Sequence, residues 1–343
     1  MSKIGVGVLG ATGAVGQRFV EFLQDHPWFE ITSLAASERS AGKPYREAVS
    51  WRLSSPFPDH LGDMEVVNAS DPEQVDAKIV FSALPSGIAA TLEDRYADAG
   101  FVVASNASAN RMKDDVPLVI PEVNAEHLSL VDVQKDRRGR DGFIVTNPNC
   151  STIMLTLALR PLVDMGIVDV KVATMQAVSG AGFNGVSSMA ILDNIIPYIA
   201  GEEGKMESEP LKLLGTLDGD RVINASFSIS ASCHRVPVMD GHTEAVWVQL
   251  EQSASAEDVR QAMLSFEHGL EGLPSLPERS LLVHDAEDRP QPRLDRDIGK
   301  GMTVSVGRIR DGIRFIVMGH NTIRGAAGAS VLNAELMVQK GMV

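Results

Sequence analysis

Over the first 150 residues, short apolar runs at 4–9, 31–36, 79–84, 101–105 and 142–146 are set apart by polar, glycine-containing stretches. Near-continuous apolar runs of this length predict strands covered on both faces, as in a parallel sheet. Residues 13–23 and 89–99 space their apolar positions for helices instead, and strands alternating with helices predict βαβ units. The last of these strands runs through Thr146-Asn147-Pro148-Asn149 into a helical pattern at 150–165.

Beyond this point the pattern changes. β-branched runs at 168–178, 244–250, 302–308 and 313–318 predict an antiparallel or mixed sheet. Helices are expected at 185–199 and 256–267, and 324–340 is Ala-rich and periodic. The acidic, proline-containing stretch 285–297 reads as a surface loop. The fold class is therefore α/β: a Rossmann-like nucleotide-binding domain followed by a mixed α+β domain, and 343 residues are enough for two cores.

Composition narrows the function. A net charge of -14 disfavours a nucleic-acid partner, which wants a basic face, but leaves room for a few arginines around a small anion. No stretch approaches the roughly 18 apolar residues of a membrane span. The start, MSKIGVGVLGATG, reads as a first strand and not as a signal peptide. Cys150 and Cys233 are the only cysteines, without CxxC or zinc spacing; no metal is expected, and the pair fits a reducing cytoplasm.

The candidate chemistry begins at Gly10-Ala11-Thr12-Gly13-Ala14-Val15-Gly16, between the first strand and its helix. Glycines there let a pyrophosphate approach the helix N-terminal amides, so Gly10, Thr12, Gly13, Ala14 and Val15 are candidate cofactor contacts. After the second strand, Ser37, Arg39, Ser40 and Lys43 offer hydroxyls and cations to the 2′-phosphate of NADP, with Glu38 the one residue that suits NAD. Ser82, within the run 79–84, is a further cofactor candidate. Cys150 begins a helix, a position expected to lower a thiol pKa and to offer amides to an oxyanion. His242 follows a glycine turn and precedes the run 244–250, with Arg235 seven residues upstream as a carboxylate ligand. Four other histidines, His26, His60, His127 and His268, sit in polar settings and read as surface.

Taken in order, GATGAVGQ, SNASANRM, TNPNCST, QAVSGAG, HRVPVMDGHTEA and NTIRGAAG resemble aspartate-semialdehyde dehydrogenases of the archaeal and fungal branch, and the resemblance spans essentially the whole chain. It implies an NADP-binding domain at 1–149, completed by a C-terminal helix in 321–343, and a catalytic and dimerisation domain at 150–320. It implies Cys150 as nucleophile, His242 as acid/base, Gln176 positioning a thioester, and Arg235 on the substrate carboxylate. It also implies Glu202 on the substrate amine, Lys205 and Arg111 on phosphate, Asn149 beside the substrate, and Gly180 and Asn321 near the nicotinamide. The implied reaction is NADPH-dependent reduction of 4-phospho-L-aspartate to L-aspartate 4-semialdehyde by a cytoplasmic homodimer or homotetramer. A malonyl-CoA reductase on the same scaffold is the enzyme rival. A silent nucleotide-binding sensor is the rival from another class, and it has no need of Cys150, His242 and Arg235 together. N-acetyl-γ-glutamyl-phosphate reductase is more distant around the Cys and His blocks.

Overall fold

The computed structural model describes residues 2–182 and 184–343. Strands β1 (Ile4–Leu9), β2 (Phe29–Ala36), β3 (Val66–Asn68), β4 (Ile79–Ser82), β5 (Val102–Ser105) and β6 (Phe143–Thr146) form one parallel sheet in the order β3-β2-β1-β4-β5-β6. β4, β5 and β6 are buried at every position, which is why they read as unbroken apolar runs. The order turns back between β1 and β4, and the crevice at the carboxyl ends of those strands is where such sheets take a dinucleotide.

The second sheet contains β7 (Ile167–Gln176), β10 (Ser228–Arg235), β11 (His242–Leu250), β12 (Leu281–Val283), β13 (Val304–Arg310) and β14 (Arg314–Gly319), in the order β10-β7-β11-β14-β13-β12. It is mixed: β10–β7 and β12–β13 pair in parallel, and the other pairs are antiparallel. A small hairpin, β8 (Thr216–Asp218) and β9 (Arg221–Ile223), stands apart. One face of β7 and β11 is buried in strict alternation under the helices Cys150–Leu159 and Glu202–Leu213. The α/β class with two sheets is as the sequence predicted.

Several local expectations are corrected. The helix at 150–165 ends at Leu159, and Arg160–Met165 continues as a tighter 3-10 turn carrying Pro161 near its start. Within 185–199 only Ser188–Ile191 is helical; Met189, Leu192, Ile195 and Tyr198 are exposed, so no packed apolar face sustains a longer helix. The C-terminal segment opens with a π turn, Ile323–Ala327, before the helix Gly328–Gln339. Val331, Leu332, Leu336 and Met337 of that helix share a core with Val6, Phe19 and Phe81. Residues 285–297 are not all surface: Asp295 is fully buried and paired with Arg289 and the Gln291 amide. Two of the supposed surface histidines are buried as well. His26 meets Glu335 at 2.7 Å, and His127 contacts the Asn124 amide at 2.9 Å, so each polar ring is satisfied inside.

Candidate active site

Cys150 is the first residue of its helix, and Asn149 is the cap. The Asn149 Oδ1 accepts from the backbone N–H groups of Ser151 at 3.0 Å and Thr152 at 3.2 Å. Its Nδ2 donates to Glu202 Oε1 at 2.6 Å, and Glu202 also pairs with Lys205 Nζ at 3.2 Å. The Glu202–Lys205 pair is therefore not a solvated helix face: Glu202 is buried against the loop that carries the thiol. From behind, the backbone of the 323–327 turn presses on the nucleophile, since a Cβ at Gly325 would lie 2.6 Å from Cys150 Cβ. Arg324, fully buried, donates to Glu122 at 2.8 Å and anchors this turn.

The thiol pKa differs from the sequence expectation. Burial pushes it up to about 12, Glu202 adds to the push, and Arg111, the Ser151 amide and Arg235 oppose it. Cys150 is only partly covered in accessible surface, so one edge stays open. The helix N-terminus alone therefore does not make a thiolate in the ligand-free protein.

The second sheet supplies the facing wall. Arg235 on β10 is in register with Gln176 on β7, and His242 heads the next strand, β11. All three are buried. Arg235 Nη1 donates to the Ala177 carbonyl at 2.7 Å, and Gln176 Nε2 donates to Thr174 Oγ1 at 3.3 Å. His242 Nδ1 accepts from the Ala177 backbone N–H at 3.0 Å, which puts the proton of a neutral ring on Nε2. That Nε2 is buried without a protein partner among the described residues. Burial, Arg235 and His320 lower the His242 pKa to about 3, so the ring is neutral. Gly180 lies over both groups: a Cβ there would be 2.8 Å from Arg235 Nη1 and 3.1 Å from His242 Cε1, which explains the glycine.

Arg111 comes from the other domain. Its guanidinium donates to Glu209 Oε1 at 3.0 Å and to the Asn106 carbonyl at 2.7 Å. Glu93, buried, gathers Ser82, Ser105 and Asn110 at 2.6–2.7 Å and fixes the strand ends next to this loop. The Ser82 hydroxyl, the cofactor candidate of the first domain's fourth strand, is engaged with Glu93 inside the protein.

The nucleotide crevice fits a dinucleotide. Gly10 has φ +81°, and Gly16 is pressed so closely on Gly10 that a Cβ would sit 2.1 Å from its carbonyl oxygen. Gly13 caps the helix Ala14–Leu23 without a side-chain hydrogen bond, leaving Ala14 and Val15 amides for an anion. Thr12 lies on this loop. Ser37, Arg39 and Lys43 are exposed at the end of β2, Ser40 is buried in the turn, and neither cation has an ion-pair partner among the described residues. This arrangement suits a 2′-phosphate. Asn321 is committed to the protein: it accepts from Gly241 N and donates to Ser179 Oγ, both at 2.8 Å, so it ties the His242 turn to the Gly180 loop.

The family model described as semialdehyde dehydrogenase, NAD binding domain, matches residues 5–131. The one described as semialdehyde dehydrogenase, dimerisation domain, matches 159–324. The aspartate-semialdehyde dehydrogenase of Archaeoglobus fulgidus is 59% identical, over 99% of this chain and 100% of that protein. The chain belongs to the aspartate-semialdehyde dehydrogenase family. The solved aspartate-semialdehyde dehydrogenase with NADP from Candida albicans is 42% identical at a TM-score of 0.91, covering 100% of both chains. The second Vibrio cholerae enzyme, solved in complex with ASA, is 29% identical at a TM-score of 0.78, covering 99% of each chain.

Three residues of this aspartate-semialdehyde dehydrogenase family member escaped the sequence reading. Glu209 Oε2 accepts from the Asn149 backbone N–H at 2.7 Å, and Lys212 donates to the carbonyls of Arg111, Lys113 and Val116 at 2.8–2.9 Å. Glu202, Lys205, Glu209 and Lys212 stand at 3-4-3 spacing, the signal of one helix face. Glu244, two residues after His242, is the third: it is fully buried, and neither oxygen has a partner among the described residues. Among the described residues no His, Cys, Asp and Glu cluster is placed to hold a metal, and no helix is long and apolar enough to cross a membrane.

Proposed function

We propose that this chain reduces 4-phospho-L-aspartate to L-aspartate 4-semialdehyde with NADPH, and runs the phosphorylating oxidation in reverse. The observation that carries the reading is that Glu202, Arg111 and Arg235 all act on the Cys150 thiol, Asn149 caps its helix, and Arg235 shares the Gly180 loop with His242. Cys150 attacks the acyl phosphate carbon, the thiol proton passes to the departing phosphate as the C–O bond breaks, and a thioester forms. Arg111 and Lys205 hold the phosphate, Arg235 the α-carboxylate, and Glu202 the ammonium.

The Gly10–Val15 loop with Ser37, Arg39, Ser40 and Lys43 would hold NADPH, whose chemistry would be hydride donation for reduction of the thioester. His242 presents Nε2–H to the oxygen that gains charge, and it serves as the proton donor when the C–S bond breaks. Burial is the main cause of the low His242 pKa and Arg235 the second, so a substrate carboxylate on Arg235 offsets that cation and shifts the pKa upward. Gln176 orients the thioester carbonyl.

The two domains are read as 1–149 with 321–343, and 150–320. Trp247 is exposed on the outer face of the second sheet, beside Lys171 and within the residues matched by the dimerisation-domain family model, and supports a homodimer through that face; a homotetramer is the alternative assembly, and the cytoplasm the expected compartment. The test is a coupled assay of NADP reduction by aspartate semialdehyde and phosphate, beside malonyl-CoA with NADPH. Phosphate-dependent turnover lost in Cys150→Ala is the expected result. Turnover of malonyl-CoA alone, or undiminished activity in Cys150→Ala, overturns it.

A further inference from the structure

Glu209 is 2% exposed, and its two oxygens serve two different parts of the site. Oε1 accepts from Arg111 Nη1 at 3.0 Å, and Oε2 accepts from the backbone N–H of Asn149 at 2.7 Å, the residue directly before the nucleophile. Arg111 Nη2 is taken by the Asn106 carbonyl, and Arg111 Nε is buried without a partner among the described residues. An anion reaching Arg111 therefore meets a guanidinium whose charge is already offset by an internal carboxylate.

We propose that Glu209 is a positioning residue that competes with phosphate for Arg111 while it holds the Asn149–Cys150 loop in line. The proposal rests on the reading of Arg111 as phosphate ligand and Cys150 as nucleophile. Its chemical sense lies in turnover. In the biosynthetic direction, phosphate must leave after the thioester forms, and an unopposed arginine would retain it. A built-in counter-anion weakens phosphate binding, and the same carboxylate keeps the attacking residue placed. Lys212, on three carbonyls of the Arg111 loop, keeps that loop from following the arginine.

The test is Glu209→Gln, near in shape but without the charge. An amide has one acceptor oxygen for two donors, so one of the two clamps is lost. Phosphate affinity is read without turnover, as the concentration of inorganic phosphate that protects Cys150 from iodoacetamide, and kcat is read separately. The expected result is split: phosphate protection tightens about three- to tenfold while kcat falls at least about tenfold. A residue that merely supports the fold would weaken both together, and that result, or no change in either, overturns the proposal. Wild-type Cys150 left unprotected by phosphate overturns the reading of Arg111 and this proposal with it. Protected wild type with no tightening in the variant overturns the proposal alone. Should the variant not fold, wild-type crystals soaked in inorganic phosphate decide. Arg111 Nη1 should leave Glu209 for the anion while the Asn149–Glu209 bond persists; an Arg111–Glu209 pair unchanged beside bound phosphate overturns it.

Discussion

Asn149 performs two jobs with one amide, and substitution can separate them. Its oxygen caps the Cys150 helix, and its nitrogen donates to Glu202 at 2.6 Å. Asn149→Ala removes both. Loss of the cap costs about 0.5–2 kcal/mol, and loss of a hydrogen bond to a charged group costs about 1.5–3 kcal/mol. Lys205 remains 3.2 Å from Glu202, so the carboxylate is not orphaned, and the sum settles at about 2–4 kcal/mol. Asn149→Asp keeps the cap and adds a charge that suits a helix N-terminus. It also sets a second carboxylate against Glu202 in a buried site, where two anions so close cannot both stay ionised. At pH 8 the Asp variant should therefore be no more stable than the Ala variant. Below about pH 6 a shared proton relieves the repulsion, and the Asp variant should recover past it; the raised carboxyl pKa gives stability at low pH that is lost as pH rises. Urea unfolding of the three proteins at both pH values, with unchanged m, is the assay. An Asp variant as stable as wild type at pH 8 would refute the role given to the Asn149–Glu202 bond.

With the Cys150 thiol pushed up to about 12, alkylation of the ligand-free protein by iodoacetamide should climb nearly tenfold per pH unit from about pH 7 to 10, because the thiolate is the reacting form; a plateau below pH 8 would show a thiolate already formed. Gly180→Ala drives a methyl into Arg235 and His242, so kcat/KM should fall at least about tenfold, with a thermal midpoint within a few degrees of wild type; unchanged kinetics would mean that the Gly180 loop moves off the site during turnover. Burial, reinforced by Glu202, raises the Glu244 pKa well above its ordinary value, so the folded protein keeps a proton that the unfolded chain releases. Wild-type stability from this group is present below about pH 4.5 and drains as pH rises toward the folded pKa, so Glu244→Gln should gain on wild type from pH 5 to pH 8 in urea melts; a constant difference would mean that Glu244 is ionised in the fold.

Much of the first domain was legible because its physics is local. β4, β5 and β6 are buried on both faces, and burial on both faces writes itself as an unbroken apolar run. β3 has three residues and leaves too short a pattern to read. β10 was hidden for a different reason. Its sequence, Ser228-Ile229-Ser230-Ala231-Ser232-Cys233-His234-Arg235, is small and polar, because one face is exposed and the other ends in site residues. The overreach at 185–199 has the opposite cause: apolar residues are present at helical spacing, but Met189, Leu192, Ile195 and Tyr198 stay exposed, with no buried face among the described residues to hold a helix together.

The site was legible by residue type and illegible by partner. Cys150, His242 and Arg235 carry chemistry wherever they stand, so motif blocks locate them. What sets their state is tertiary. The expectation of an acidic thiol used the helix N-terminus alone, whereas burial and Glu202, fifty-two positions away, push the thiol the other way. The tautomer of His242 is set by the amide of Ala177, which follows a strand paired with its own only after folding. The helix Glu202–Leu213 shows the same division. Its charges at 3-4-3 spacing are visible in the sequence as a helix face, and a charged face is ordinarily solvated. Only when Asn149 and Arg111 come against it do Glu202, Glu209 and Lys212 become the frame that holds the nucleophile and the phosphate arginine in one geometry. A buried charged stripe has to find its partners elsewhere in the chain, and in this protein it finds them at the two loops where the reacting groups must meet.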